Sequence, residues 1–426
     1  MQHMENIDVS RAGRECLAET DRIVGEYGPR LAGTRACSEA AEQIAASSKG
    51  FADSVTVEPF RVHPVSFYAY TKVLPVSYVL GMIALLVAGR YSIVPLVGLA
   101  VGIVLMLSQF AFYWHWGDAL FSPRTGKNVE AVIEPAGPAE QELILSGHHD
   151  SAPVARIFSG PFARFYVVAI LAPYVFFLFE LGVLLAHMIR GNGGLAPVWT
   201  LACLVLGLPF VVGYFFLVNL RRGSPGAGDN LISSVMAVRI GKEIAARRED
   251  LLRSTRLRIV SFDAEEAGLR GSAAYFRRHA ADLGKLPCVH LNFDSLYSLR
   301  DLQVLTSDIN GTVPLSRELV ETVIDCAREC GFNARPFGMI FGAGGTDAAE
   351  SARRSIPSTS IIAMPTEIVR EGLVYHTPSD TVEHIEPAIV EACMRIALRV
   401  LERVEKGGVP ADSPRKHSLA QRTRRA

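Results

Sequence analysis

Apolar and polar positions follow three different patterns along this chain. From residue 11 to 48 apolar residues recur at helical spacing, interrupted by a Gly-Pro-Arg-Leu-Ala-Gly-Thr turn at 28–34, and Ser54 to Val62 alternates in part as a strand does. From Val73 to Gly89 no charge occurs; Arg90 interrupts, and Tyr91 to Gly117 is again uncharged apart from His115. Phe165 to Ile189 is apolar with one acidic interruption at Glu180, and Leu195 to Leu220 is uncharged. Crossing a bilayer takes about 20 apolar residues, and buried core helices seldom run that far without charge. The pattern therefore predicts four transmembrane helices in two hairpins, at 65–117 and 165–220. Beyond Arg222 it predicts a helix over Leu231 to Arg247, a strand over Leu257 to Phe262, a helix over Ser272 to Ala280 and a strand over Cys288 to Phe293. A helix over Leu315 to Cys330, a strand over Ser358 to Ala363 and a closing helix over Pro387 to Glu405, with proline in its first turn, complete the series. Such alternation implies an α/β domain with a mixed or largely parallel sheet between helices, and its sites belong at strand ends.

Composition refines this picture. Hydrophobic residues make up 49% of the 426, and the mean hydropathy of +0.24 is high for a purely soluble protein. Lysine plus arginine (43) balances aspartate plus glutamate (43), so no global field points to nucleic acid. Seven scattered cysteines without a C-x-x-C pair suit a reducing compartment. The polar, partly acidic first thirty residues read as neither signal nor transit peptide. Both hairpins go out and return, so the N-terminus, the 118–164 segment and the C-terminal half share one side. The turns between spans carry Arg90 and Arg190, whereas the shared side carries Arg61, Lys72, Arg124, Lys127, Arg156, Arg164, Arg221 and Arg222 near the spans. The positive-inside rule places that side in the cytoplasm, which makes the chain a multi-pass inner-membrane protein with the lipid bilayer as a partner. An ionisable residue at mid-span, Glu180, is costly and by default functional, but no other charge in the spans is there to relay a proton.

Polar clusters mark the predicted strand ends and helix starts. Residues 141–151, Gln-Glu-Leu-Ile-Leu-Ser-Gly-His-His-Asp-Ser, end an apolar run in His148, His149 and Asp150. Residues two apart on extended backbone face the same way, so His148 can bind an ion while Asp150 fixes its ring. Gly226-Ala-Gly-Asp-Asn230 opens a helix with Asp229, Asp263-Ala-Glu-Glu-Ala-Gly268 follows a strand, Asn292-Phe-Asp-Ser295 closes another, and Tyr375-His-Thr-Pro-Ser-Asp-Thr381 precedes the last helix. Singly these are a helix cap, a solvated acidic pair, a strand-end aspartate and a turn histidine. Jointly they supply the ligands of a two-metal hydrolytic centre and one spare carboxylate.

In this order the motifs resemble the M28 family of zinc metallopeptidases over about residues 18–64, 118–152 and 223–406, the Glu-Tyr-Gly-Pro-Arg-Leu-Ala-Gly-Thr stretch included. The resemblance implies a three-layer zinc exopeptidase domain binding two Zn2+ ions bridged by Asp229, with metal ligands His148, Asp229, Glu266, Asp294 and His376. It further implies that Glu266 shares a zinc with His148, that Asp294 and His376 hold the other, and that Glu265 is the general base. Asp150 and Asp380 are the orienting carboxylates, and Tyr375 is a candidate oxyanion donor with an equal claim to a packing role. His149 stands at a variable position, and Phe341-Gly-Ala-Gly-Gly-Thr-Asp347 reads as a tight loop near the site.

One departure from the family is large: about 80 residues, with two spans among them, separate His148 from Asp229. Nine residues link Leu220 to Asp229, so the site lies within about 30 Å of the fourth span and close to the membrane surface. The expected organisation is 1–64 and 118–164 as early parts of the peptidase domain, 65–117 and 165–220 as hairpins, 221–406 as its main part, and 407–426 as a basic, disordered tail. The expected activity is that of a membrane aminopeptidase acting on peptide or protein N-termini. Competing readings are a glutaminyl cyclase, a metal-free receptor or scaffold, and a transporter-like role of the spans; a homo-oligomer is compatible with all of them.

Overall fold

A computed structural model describes residues 7–87, 92–155, 165–191, 196–364 and 374–407. The basic tail beyond Gly407, and Arg90, Arg156 and Arg164 of the charge count, lie outside the described residues.

The first helical segment is two helices, α1 (Val9–Tyr27) and α2 (Arg35–Ser48). The Asp8 carboxylate caps α1 by accepting from Arg11 N at 2.9 Å, and Thr34 Oγ1 caps α2 by accepting from Cys37 N at 3.3 Å. Between them Gly28 and Gly33 take left-handed φ values of 66° and 63°, which a side chain would disfavour.

The strands are β1 (Ser54–Val62), β2 (Arg124–Ile133), β3 (Gln141–His148), β4 (Pro153–Ala155), β5 (Val218–Gly223), β6 (Thr255–Phe262), β7 (Cys288–Leu296), β8 (Gln303–Asp308), β9 (Val313–Pro314), β10 (Arg335–Gly338) and β11 (Ser358–Ala363). One sheet runs β1-β2-β6-β3-β7-β11-β8-β10, with β9 on β8; β4 and β5 form a separate pair. Its centre, β6-β3-β7-β11, is parallel, and β1-β2, β2-β6 and β11-β8 are antiparallel, so the sheet is mixed. Register places His148 beside Phe262 and Ser146 beside Asn292, so Asp294 comes level with His148 at one edge.

The central strands are apolar on both faces. Leu143 and Leu145 of β3 enter one buried cluster, together with α1, α2, α8 (Ile232–Ala245) and the long C-terminal helix Pro387–Glu405. Ile144 faces the opposite layer, among Val260, Phe262, Tyr275 and Phe276. Strand β2 escapes sequence detection because its polar residues are used internally. Glu130 meets Arg258 at 2.9 Å, and Asn128 Nδ2 donates to Gly271 O at 2.8 Å.

The apolar insertions form a helical bundle of α4 (Tyr70–Leu86), α5 (Ile93–Leu105), α6 (Tyr166–Ile189) and α7 (Val198–Phe215), with the short α3 (Pro64–Tyr68) leading into it. Three helical stretches, Ile93–Ala111, Val168–Ile189 and Val198–Phe215, are long and apolar enough to cross a membrane; Tyr70–Leu86, at 17 residues, is shorter. Small residues bring the helices together, as a Cβ at Gly98 would lie 2.2 Å from Ser77 Oγ and one at Gly81 2.4 Å from Glu180 Oε1. Glu180 is fully buried there, and both its oxygens lack hydrogen-bond partners among the described residues.

Two predicted spans end early. The second passes into a π-helical turn, Met106–Ala111, and leaves helical geometry before Tyr113 (φ 53°). The fourth ends at Phe215, and residues 218–220 belong to β5, where Asn219 pairs with Val154. In both places tertiary partners outbid local apolar helicity. Leu145, fully buried on β3, makes the packing testable: Leu145→Ala is expected to cost about 2–5 kcal/mol, read as a lowered thermal midpoint of the purified protein.

Candidate metal centre

The carboxyl ends of the central strands deliver the polar clusters to one place. His148 ends β3, Asp294 lies in β7, Glu265 and Glu266 follow β6, and Asp229 lies in the turn before α8. Asp229 sits between two imidazoles, its Oδ1 3.4 Å from His148 Nε2 and its Oδ2 3.0 Å from His376 Nε2. His148 Nε2 is also 3.7 Å from Glu265 Oε2 and 4.0 Å from Asp294 Oδ1, and His376 Nε2 is 3.1 Å from Glu266 Oε1.

This geometry corrects one expectation. His148, Asp229 and Glu266 fall within 4.8 Å of one another, as do His148, Glu265 and Asp294, but Glu266 comes to 3.1 Å from His376, while Glu265 and Asp294 approach His148 at 3.7 and 4.0 Å. Glu265 faces His148, and Glu266 lies nearer the other imidazole.

The surroundings hold these groups in place. Asp150 accepts from the backbone N–H of Glu265 and of Glu266, both at 3.2 Å, and its Oδ1 lies 3.2 Å from His148 Nδ1. Its own backbone carbonyl competes for that ring nitrogen at the same distance. Asp380 accepts from Gly228 N at 2.9 Å, so it steadies the turn carrying Asp229. Tyr375 stacks on His376 with ring centroids 3.6 Å apart. His149 is buried away from the centre with Nδ1 2.8 Å from Ser261 Oγ, and burial, with Arg30 and His148 adding, lowers its pKa to about 3. It groups with Cys37 and Asp263, but there the thiol donates to Asp263 Oδ1 at 3.2 Å and Lys127 N to Oδ2 at 2.9 Å. Those carboxylate oxygens are already satisfied.

Sequence reading missed three contributors. Arg30, fully buried, donates to the carbonyls of His149 (2.8 Å), Gly28 (2.9 Å), Pro225 (2.9 Å) and Gly226 (2.7 Å), tying the N-terminal turn to the segments that carry His148 and Asp229. Ser295 Oγ donates to Asp294 Oδ1 at 2.9 Å. Asp347, at the end of the glycine-rich loop, is fully buried, and neither carboxylate oxygen has a hydrogen bond of good geometry among the described residues. For Arg30 the Gly-Pro-Arg-Leu-Ala-Gly-Thr stretch was the available signal; a serine beside an aspartate gives none.

The electrostatics call for a cation. Burial raises Glu266 to about 7, with Asp229 adding and His376 opposing, and burial likewise pushes Glu265 and Asp294 well above the usual carboxylate range. Asp229 goes the other way, since its two imidazoles outweigh its burial. His148 Nε2, Asp229 Oδ2, Glu266 Oε1 and Asp294 Oδ2 are buried without a hydrogen bond of good geometry among the described residues. Imidazole and carboxylate donors left over in this way suit a divalent ion such as zinc, and Asp229 with one oxygen toward each histidine suits a bridge.

Comparison with known proteins places the fold. The fold is that of a zinc aminopeptidase from Bacillus subtilis (15% identity, 92% of this chain and 95% of that one, TM-score 0.55) and an aminopeptidase from Aneurinibacillus sp. strain AM-1 (13%, 93% and 95%, 0.54). It is equally that of a glutaminyl cyclase from Bacteroides thetaiotaomicron (13%, 92% and 97%, 0.54). A search of curated proteins gives no match. Fold and family together define a zinc-dependent hydrolase. Residues 212–401 match the model described as peptidase family M28.

Two predictions follow from the geometry. Burial opposes protonation of His376, but Glu266 and Asp229 outweigh it and raise its pKa to about 10. The metal-free imidazole therefore holds a proton at neutral pH that zinc must displace. Zinc affinity is expected to rise with pH from 6 to 8, by up to about tenfold per unit per displaced proton; calorimetry in buffers of different ionisation enthalpy should register the released proton, and a pH-independent affinity would contradict the assignment. Arg30→Leu strands carbonyl acceptors at about 1–3 kcal/mol each, so it should lower both the thermal midpoint and zinc retention during dialysis.

Proposed function

We propose that this protein is an integral-membrane zinc aminopeptidase with two ions bridged by Asp229. The observation that carries this reading is the complete donor set around Asp229 with Glu265 left over: His148 and Asp294 would hold one ion, His376 and Glu266 the other. Bound zinc supplies Lewis-acid polarisation of the scissile carbonyl and acidifies the attacking water. Glu265, 3.7 Å from His148 Nε2 through its Oε2, takes the proton of that water on its carboxylate and returns it to the leaving amine. Asp150 holds the backbone of both glutamates through their N–H groups, and Asp380 steadies Asp229 through Gly228. Tyr375, stacked on His376, is assigned to orienting that ring.

The membrane part of the reading rests on the length and composition of the bundle helices and on basic residues such as Arg221 and Arg222 beside α7. Four spans anchor the catalytic domain at the cytoplasmic face, and peptide N-termini reach it there. The glutaminyl cyclases among the structural relatives make cyclisation of an N-terminal glutamine the second reading.

The test uses detergent-purified protein, a panel of aminoacyl-anilides and short peptides including one with N-terminal glutamine, and metal analysis. Wild type should cleave and carry two zinc ions, while Glu265→Gln keeps the metal and loses kcat by roughly 10³-fold or more. Ammonia release from the glutamine peptide without hydrolysis of the others would instead establish the cyclase.

A further inference from the structure

The turn carrying Glu265 and Glu266 is conformationally costly. Ala264 and Leu269 both have φ 61° and Gly268 has φ 86°. A left-handed conformation is unfavourable for a residue with a Cβ, and it persists only where the surroundings over-determine it. On one side the restraint is Asp150, through the two amide groups it accepts from.

On the other side the restraint comes from the first membrane insertion. Tyr68, at the end of α3, donates its hydroxyl to Glu266 O at 2.7 Å in a fully enclosed contact. Phe67 lies so close to Gly268 that a Cβ there would stand 2.5 Å from its ring. Arg270, which ends the turn, donates to Gly268 O at 2.6 Å and grips Asp118 through Nη2 at 2.8 Å and Nε at 3.1 Å. The same guanidinium donates to Gln109 Oε1 in the π-helical turn, and Gln109 Nε2 donates to Ser66 Oγ at 3.0 Å. Residues 66–68 and 109–118, the two ends of the hairpin, thus close on one catalytic turn. A bare membrane tether would need no such contacts, and the π-helical turn is where Gln109 departs from α-helical register to make them.

We propose that the first hairpin is part of the catalytic apparatus. Tyr68 and the Arg270–Asp118–Gln109 cluster are positioning residues that hold Glu265 and Glu266 at their working places, and the insertion does more than attach the domain to a bilayer. This rests on the aminopeptidase reading. It explains an arginine at position 270 by its partners Gln109, within the insertion, and Asp118, the residue that directly follows it.

The experiment compares the full-length, zinc-saturated, detergent-purified enzyme with Tyr68→Phe, Arg270→Gln and Arg270→Lys, each alone and with Glu265→Asp. Rates on an aminoacyl-anilide are normalised to bound zinc. Misplacing a base by a fraction of an ångström costs about tenfold or more, so Tyr68→Phe should lose about that much kcat while KM and zinc content hold. Arg270→Gln should lose more, with part recovered in Arg270→Lys. With Glu265→Asp, whose carboxylate is already displaced, Tyr68→Phe should cost no more than about twofold, because both changes act through one group. Full activity in both Tyr68→Phe and Arg270→Gln, or the same fold-loss on both backgrounds, overturns the proposal while leaving the peptidase reading intact. A wild type that cleaves nothing fails the peptidase reading itself, and the positioning role with it.

Discussion

The structure depends on a concentration of like charge. Asp229, Glu265, Glu266 and Asp294 are buried at one edge of the sheet around two imidazoles. At such separations in a poorly solvated site carboxylates repel strongly, and the response open to the protein alone is to hold protons. Burial first, and the neighbouring carboxylates after it, raise the proton affinities of Glu265, Glu266 and Asp294 in that direction. A divalent ion is the alternative, and the donors are arranged for it. The rest of the fold can be understood as scaffolding that prevents these groups from moving apart.

That scaffolding has three independent sources. The sheet supplies register: β3 lies between β6 and β7, so the strand ends carrying His148, Asp263 to Glu266 and Asp294 are neighbours by backbone hydrogen bonding alone. Arg30 supplies a buried cation whose donors are taken up by main-chain carbonyls, and so fastens α1's exit to the approach to Asp229. The hairpin ends supply the outer wall of the glutamate turn. The first two restraints come from the α/β domain itself; the third comes from an insertion whose helices pack by close contacts at Gly81, Gly98 and Gly102.

The insertions also show where apolar pattern stops being a sufficient guide. Continuous apolar sequence extended the second and fourth spans to Gly117 and Leu220, because hydropathy weighs each residue without its partner. Gln109 and Asp118 face Arg270, some 150 residues away in the chain, and Val218 and Asn219 pair with β4. Such distant partners leave no local periodicity to detect.

The sequence by itself determined the main helices and several of the central strands, the apolar insertions and the identity of the polar clusters, since each rests on local causes: periodicity, charge-free length, and unlike residues gathered at a strand end or helix start. His148, Asp229, Glu265, Glu266, Asp294 and His376 could all be named from it. Tertiary structure alone decided that Glu266 faces His376 and Asp294 faces His148, because that choice is fixed by how side chains diverge from neighbouring strand ends. It also decided the parts played by Arg30, Asp347 and Arg270. A buried charge is defined by the groups around it, and those groups meet only when the chain has folded.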